Sequence, residues 1–108
     1  MGEIRCCIYA KGEVDRVISS HSTIELDDQG CPRRCGGIGD VLSGVIAAII
    51  SMNGPDTSID SEDFIQSIYL SGKIVRIASK HAFEKRKRAM SALDVIENIR
   101  FAFEQIFE

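Results

Sequence analysis

The chain has 108 residues, of which 44% are hydrophobic and 27% are charged, and its formal net charge is -3. This composition is typical of an ordered globular domain, and the length suffices for one small domain but not for two. The acidic balance argues against a nucleic-acid surface, and the longest apolar run, residues 45–50, is too short to span a bilayer. Because the first residues lack the apolar core of a signal peptide, we expect an intracellular, cytoplasmic protein, with a mitochondrial form left open.

Three short segments in the first quarter of the chain predict β-strands. They are rich in β-branched and other strand-forming residues, and polar or turn-forming residues separate them; they comprise residues 4–10, 16–19 and 22–26. The cysteine pattern does not suggest a zinc site, because Cys6 and Cys7 are adjacent and no CxxC motif occurs. We therefore interpret the four cysteines as small buried hydrophobes in a reducing compartment.

Three helices are predicted after the strands. The first covers residues 40–52 and is apolar on nearly all sides, and the second covers residues 61–84 with Asp60 or Ser61 as its N-cap. Ser91 and Asp94 resemble a capping box that opens a last helix reaching nearly to residue 108. The basic residues 85–88 suit the C-terminal end of the second helix better than a nucleic-acid patch. A first helix this apolar predicts packing partners from further elements of the same fold.

A glycine-rich loop with the sequence CPRRCGGIGD, residues 31–40, leads directly into the first helix. Glycines let a ligand approach the main chain, and the free amides and dipole of a helix N-terminus attract anions such as phosphate. Asp40 stands at the edge of this predicted site, either as a structural N-cap or as a base that takes a proton from an attacking hydroxyl. The loop is neither a Walker A motif nor a Rossmann fingerprint.

Three segments in this order resemble the eukaryotic ATP-dependent NAD(P)H-hydrate dehydratases of the ribokinase-like superfamily. They are KGEVD at residues 11–15, GCPRRCGGIGDVLSG at residues 30–44 and the helical tail FAFEQIFE at residues 101–108. The RRCGGxGDxLSG stretch is the specific part, whereas GxGD alone is shared by the whole superfamily. The resemblance implies an α/β fold, of which this chain would be the C-terminal portion, residues 1–108, of a single larger domain with a mostly parallel sheet.

The resemblance also implies an activity and its residues. Hydrated NADH or NADPH (NADHX or NADPHX) would be phosphorylated on the ring hydroxyl by ATP and then lose phosphate, with Mg²⁺ expected to accompany ATP. Asp40 would contact the hydrated ring and act as the base, and Gly37 and Gly39 would help to form the anion hole. The ATP site would comprise Lys11, Gly12, Glu13, Val14, Asp15, Gly30, Cys31, Pro32, Arg33, Arg34, Cys35, Gly36, Gly37, Ile38 and Gly39.

Two alternatives remain open from the sequence. The GxGD motif alone would permit another ribokinase-like small-molecule kinase, and the absence of the upstream part would permit a non-catalytic nucleotide-binding remnant. No nucleic-acid or membrane partner is expected, and homo-oligomer formation is left open.

Overall fold

The computed structural model describes residues 7–12, 14–19, 22–26, 37–52 and 61–107. The strands are β1 (Ile8–Ala10), β2 (Asp15–Ile18) and β3 (Thr23–Leu26). The helices are α1 (Ile38–Met52), α2 (Glu62–Arg86), α3 (Ala92–Glu97) and α4 (Ile99–Phe107), with a 3₁₀ turn at Lys87–Ala89 between α2 and α3. The predicted order of strands followed by helices is confirmed.

The three strands form an antiparallel sheet in the order β1-β2-β3. Alternation along β2 buries Asp15 and Val17 and leaves Arg16 exposed. Tyr9 lies opposite Val17, and Leu26 lies opposite Asp15, so these side chains share the face that packs against α2. On the other face Arg16 Nε lies 3.3 Å from Glu25 Oε1 in an exposed ion pair. The sheet therefore presents one apolar face that carries a single buried carboxylate, Asp15.

Helix α2 is the central element of the described fold. Its N-cap is Ser61, whose hydroxyl accepts a hydrogen bond from the Phe64 amide at 3.1 Å, and its C-terminal boundary falls where Lys87 adopts a φ of 51°. The predicted N-cap and the predicted basic C-terminal end are thus both confirmed. Gly72 lets α2 approach the sheet closely, because a Cβ at this position would collide with the Tyr9 side chain and with Leu26 Cδ2.

Apolar side chains form two clusters, one on each side of α2. The larger lies among the four helices and contains Ile49, Ile74, Ala78, Ala82, Met90, Val95 and Ala102. The smaller lies between α2 and the sheet and contains Val17, Ile65 and Ile68, with the partly buried Cys7 packed against it. The interpretation of Cys7 as a small apolar side chain agrees with this packing, whereas the other three cysteines lie outside the described residues.

The last predicted helix is divided into α3 and α4 at Asn98. Ser91 donates its backbone N–H to Asp94 Oδ2 at 2.8 Å, which confirms the predicted capping box at the start of α3. The buried Asn98 side chain donates to the Asp94 carbonyl at 2.8 Å and accepts from Lys85 Nζ at 3.3 Å. An asparagine that satisfies its amide in this way competes with regular helical hydrogen bonding, which explains the interruption.

Helix α1 packs with Leu42 and Ile49 buried, while Ser43, Gly44, Ala47 and Ala48 are exposed. Contacts within the described residues therefore bury only part of the apolar surface of α1. No helix in the described parts of the chain combines the length and apolar character needed to cross a membrane.

Candidate functional site

Helix α1 begins directly after Gly37, which belongs to the predicted anion loop. The Val41 amide donates to the Gly37 carbonyl at 3.1 Å and closes the first turn, so Gly37 occupies the N-cap position. Gly37 has a φ of 93°, which favours glycine, and a Cβ there would also lie only 3.0 Å from Ala92 Cβ. Asp40 lies inside the first turn, so the alternative interpretation of Asp40 as the N-cap is wrong.

The first turn of α1 faces solvent. Gly37 and Asp40 are exposed, and Gly39 is partly exposed. The first N–H groups of a helix have no acceptor within the helix, and they carry the positive end of its dipole. Within the described ranges the Asp40 carboxylate has no hydrogen bond or ion pair. The turn therefore offers accessible main-chain donors beside the exposed Asp40 carboxylate.

Lys11 brings a cation to this helix terminus. It follows β1 directly, and its side chain crosses to α1, where a Cβ on Gly39 would lie 3.2 Å from Lys11 Nζ. The ammonium and the helix dipole are both positive at this point, so together they favour an anion. The resemblance assigned residues 11–15 and 30–39 to one nucleotide site, and the described parts of these two segments meet through Lys11 and Gly39.

The turn between β1 and β2 is held by the Asp15 carboxylate. The Gly12 amide donates to Asp15 Oδ1 at 2.9 Å, and the Tyr9 hydroxyl donates to Asp15 Oδ2. From α2, Arg76 Nη2 lies 2.9 Å from Asp15 Oδ1 and donates to the Gly12 carbonyl at 3.2 Å. Both carboxylate oxygens are therefore engaged within the protein.

These contacts shift the pKa values of the three charged or phenolic groups. Burial raises the pKa of the Asp15 carboxyl, but hydrogen bonds from Arg76, Tyr9 and Gly12 outweigh it and hold the pKa below its ordinary value. Burial and the hydrogen bond to Asp15 raise the pKa of Tyr9 well above its ordinary value. Burial lowers the pKa of Arg76, but the neighbouring Asp15 more than offsets this and raises it. Asp15 and Arg76 are thus a charged pair and Tyr9 is a neutral donor over the ordinary pH range.

The remaining predicted site residues divide into two groups. Val14 and Ile38 are partly buried, and in the chain Val14 directly precedes Asp15 while Ile38 directly precedes Gly39. The other predicted residues lie outside the described residues: Glu13, Gly30, Cys31, Pro32, Arg33, Arg34, Cys35 and Gly36.

Sequence reasoning missed Arg76, which contacts the predicted turn from α2. The signal that could have found it is Asp15 itself, since a carboxylate on the same strand face as the apolar Val17 needs a cation when buried.

Metal ligands are sparse around this helix terminus. Within the described residues no group of three or more His, Cys, Asp or Glu side chains could hold a metal ion. The described residues thus offer no such cluster for the expected Mg²⁺.

The described strands and helices make this chain an α/β protein, and the family match identifies it as part of a ribokinase-like carbohydrate-kinase fold. The family model described as NAD(P)H-hydrate dehydratase (Carb_kinase) matches residues 1–100, and the chain belongs to this family.

Curated relatives carry the name ATP-dependent (S)-NAD(P)H-hydrate dehydratase. The relative from Entamoeba histolytica is 37% identical over 93% of this chain and 33% of its own length. The Dictyostelium discoideum relative is 32% identical over 93% of this chain and 35% of its own, and the human relative is 28% identical over 94% and 30%. The chain thus spans about a third of the length of the curated relatives it matches.

Proposed function

We propose that residues 1–108 are the C-terminal portion of a dehydratase domain and contribute the phosphate-binding turn and the base for ATP-dependent repair of hydrated NADH or NADPH. The observation that carries the proposal is the position of Lys11 Nζ beside Gly39 at the exposed start of α1, next to Asp40. Membership of the family and the names of the relatives agree with it.

Phosphate binding is the first task of this arrangement. The Lys11 ammonium and the amides of residues 37–39 supply positive charge and N–H donors to the terminal phosphate of ATP, which is the phosphoryl donor of the reaction. The transition state of phosphoryl transfer spreads negative charge over three oxygens, so donors fixed on a helix terminus stabilise it. Residues 30–36 are proposed to wrap the rest of the nucleotide phosphates, and residues 12–15 to line the ATP site.

Proton transfer is the second task. The Asp40 carboxylate accepts the proton of the ring hydroxyl as that oxygen attacks phosphorus, and ADP leaves. Phosphate then departs with the electrons of its bond to the ring carbon, a ring proton is lost, and the double bond is restored. Lys11 offsets the repulsion between the Asp40 carboxylate and the phosphate. We expect Mg²⁺ to arrive with ATP, and we propose an intracellular location, cytoplasmic or mitochondrial, where the two cofactors are used.

A chimera tests the proposal directly. The matched third of the Entamoeba histolytica relative is replaced by this chain, and recovery of NADH from NADHX with ATP is followed by absorbance. We expect ATP-dependent activity, and Asp40→Asn should lower kcat by roughly 10²-fold or more because the base is lost.

The matched control for this variant is Asp63→Asn. Asp63 is also an exposed aspartate in the first turn of a helix, but it lies on α2. A folded chimera, as judged by circular dichroism, that keeps full activity with Asp40→Asn would refute the role of Asp40. Transfer of phosphate to a vitamin or sugar alcohol instead would select a kinase. Binding of ATP without any turnover would select a non-catalytic remnant.

A further inference from the structure

Arg76 reaches from α2 into the turn that precedes β2 and contacts three acceptors there. Its Nη2 lies 2.9 Å from Asp15 Oδ1 and donates to the Gly12 carbonyl at 3.2 Å, while its Nε donates to Asp15 Oδ2 at 3.3 Å. The guanidinium thus joins a carboxylate and a main-chain carbonyl of the same turn. A planar fork of donors can do this, whereas a single ammonium cannot match the geometry.

The Arg76–Asp15 pair is shielded from solvent. The two side chains are only 15% and 11% exposed, in contrast to 88% and 60% for the Arg100–Glu104 pair on α4. A shielded pair whose geometry is fixed on both sides restrains the backbone, whereas an exposed pair contributes little. Arg76 is engaged inside the protein, so it acts on any ligand through the turn.

Gly12 is restrained at both of its polar groups. Its amide donates to Asp15 Oδ1 at 2.9 Å and its carbonyl accepts from Arg76. Gly12 is the residue directly after Lys11, and a glycine without such restraints would sample many backbone conformations. The four-carbon side chain of Lys11 is itself flexible, so its reach to Gly39 depends on where the backbone at residues 11 and 12 is held.

We infer that Arg76 is a positioning residue, which by clamping Gly12 and Asp15 holds the Lys11 ammonium at the start of α1 where nucleotide phosphate binds. This role rests on the proposed function. It gives α2, which lies far along the chain from the glycine-rich loop, an indirect part in setting the affinity for ATP.

The test uses the chimera with the Entamoeba histolytica relative and two readouts. The first is hydrogen exchange of the Gly12 amide by NMR, and the second is the dissociation constant of ATP from a titration. In Arg76→Lys the charge remains but the fork is lost, so we expect faster Gly12 exchange and an ATP dissociation constant raised roughly two- to fivefold, which is the contribution of the Lys11 charge at the helix terminus. The control Arg100→Lys alters an exposed pair of the same type and should change neither readout.

A double-mutant cycle distinguishes positioning from a general loss of structure. If Arg76 acts through Lys11, then Lys11→Gln weakens ATP binding in the otherwise unsubstituted chimera but adds little in the Arg76→Lys background. The neutral pair Asp15→Asn/Arg76→Gln is a second test that leaves no buried charge unpaired, and it should also speed Gly12 exchange.

The outcomes separate this inference from the proposed function. If ATP binds, and the Lys11 and Arg76 substitutions act additively or Gly12 exchange is unchanged in both variants, the positioning role is overturned and the phosphate site survives. If the unsubstituted chimera is folded but binds no ATP, the phosphate site is overturned, and with it this role of Arg76.

Discussion

Lys11 and Gly39 meet at the start of α1, where a methyl group on Gly39 would lie 3.2 Å from the Lys11 ammonium nitrogen. Gly39→Ala should therefore displace the ammonium by a few tenths of an ångström, at little cost to the fold because the end of a lysine side chain can move. We expect the dissociation constant of ATP to rise by at most roughly two- to fivefold, because the whole contribution of the charge at the helix terminus is about 0.5–1 kcal/mol. Calorimetric titration with ATP measures this change.

Gly44→Ala is the matched control on the same helix. Among the described residues nothing lies within 4 Å of a Cβ at Gly44, so the substitution meets no neighbour. It should raise the free energy of unfolding by about 0.5–1 kcal/mol through helix propensity and leave ATP affinity unchanged. Equal effects of the two substitutions on ATP binding would show that the contact between Lys11 and Gly39 is irrelevant to the ligand.

Local signals in the sequence predicted the helices and strands but not the contacts between them. Apolar periodicity and caps predicted α2, with Ser61 before it and basic residues at its end, because these effects act within one or two turns. The contact between Lys11 and Gly39 and the pairing of Asp15 with Arg76 join segments distant in the chain. No local rule specifies such contacts, so only the resemblance to a family placed residues 11–15 beside the glycine-rich loop.

The division of the last helix shows the same limit on a smaller scale. The apolar spacing of the C-terminal segment predicted one helix, and nothing in that spacing marks Asn98 as a break. The break depends on a side-chain amide that bonds Asp94 and Lys85, and Lys85 belongs to α2. A tertiary contact thus decides a feature of local structure.

Gly37 should tolerate alanine poorly for two independent reasons. Its φ of 93° is a left-handed conformation, and a Cβ would approach Ala92 Cβ to 3.0 Å. We expect Gly37→Ala to cost roughly 1–3 kcal/mol of unfolding free energy, measured by urea denaturation. In an Ala92→Gly background the part of this loss that comes from the contact with Ala92 should disappear, while the part that comes from the backbone conformation of residue 37 remains. A full rescue by Ala92→Gly would contradict the proposed backbone strain, and no loss at all would contradict both causes.

Gly72 sets the distance between α2 and the sheet. A Cβ there would collide with the Tyr9 side chain and lie 2.8 Å from Leu26 Cδ2, and Leu26 is fully buried. Gly72→Ala should therefore overpack this contact and cost roughly 1–3 kcal/mol, although alanine is the better helix former. Urea denaturation compares the free energy of unfolding of this variant with that of Gly44→Ala, which is a suitable control because it also replaces a glycine inside a helix. If both variants gain stability, α2 does not pack on the sheet as closely as described.

The stability of the chain should decrease in acid because of Asp15. Hydrogen bonds and the charge of Arg76 hold the pKa of Asp15 below its ordinary value in the folded chain, so the folded state binds fewer protons than the unfolded state. The resulting stabilisation is fully present above the unfolded pKa of about 3.9 and is lost as pH falls through the lower folded value. Urea denaturation between about pH 2 and pH 6 should show that the free energy of unfolding falls less steeply with decreasing pH in Asp15→Asn than in the unsubstituted chain. Glu25→Gln, which alters the exposed pair with Arg16, should keep the slope of the unsubstituted chain. Equal slopes for Asp15→Asn and the unsubstituted chain would mean that the Asp15 carboxylate is not held by Arg76 in solution.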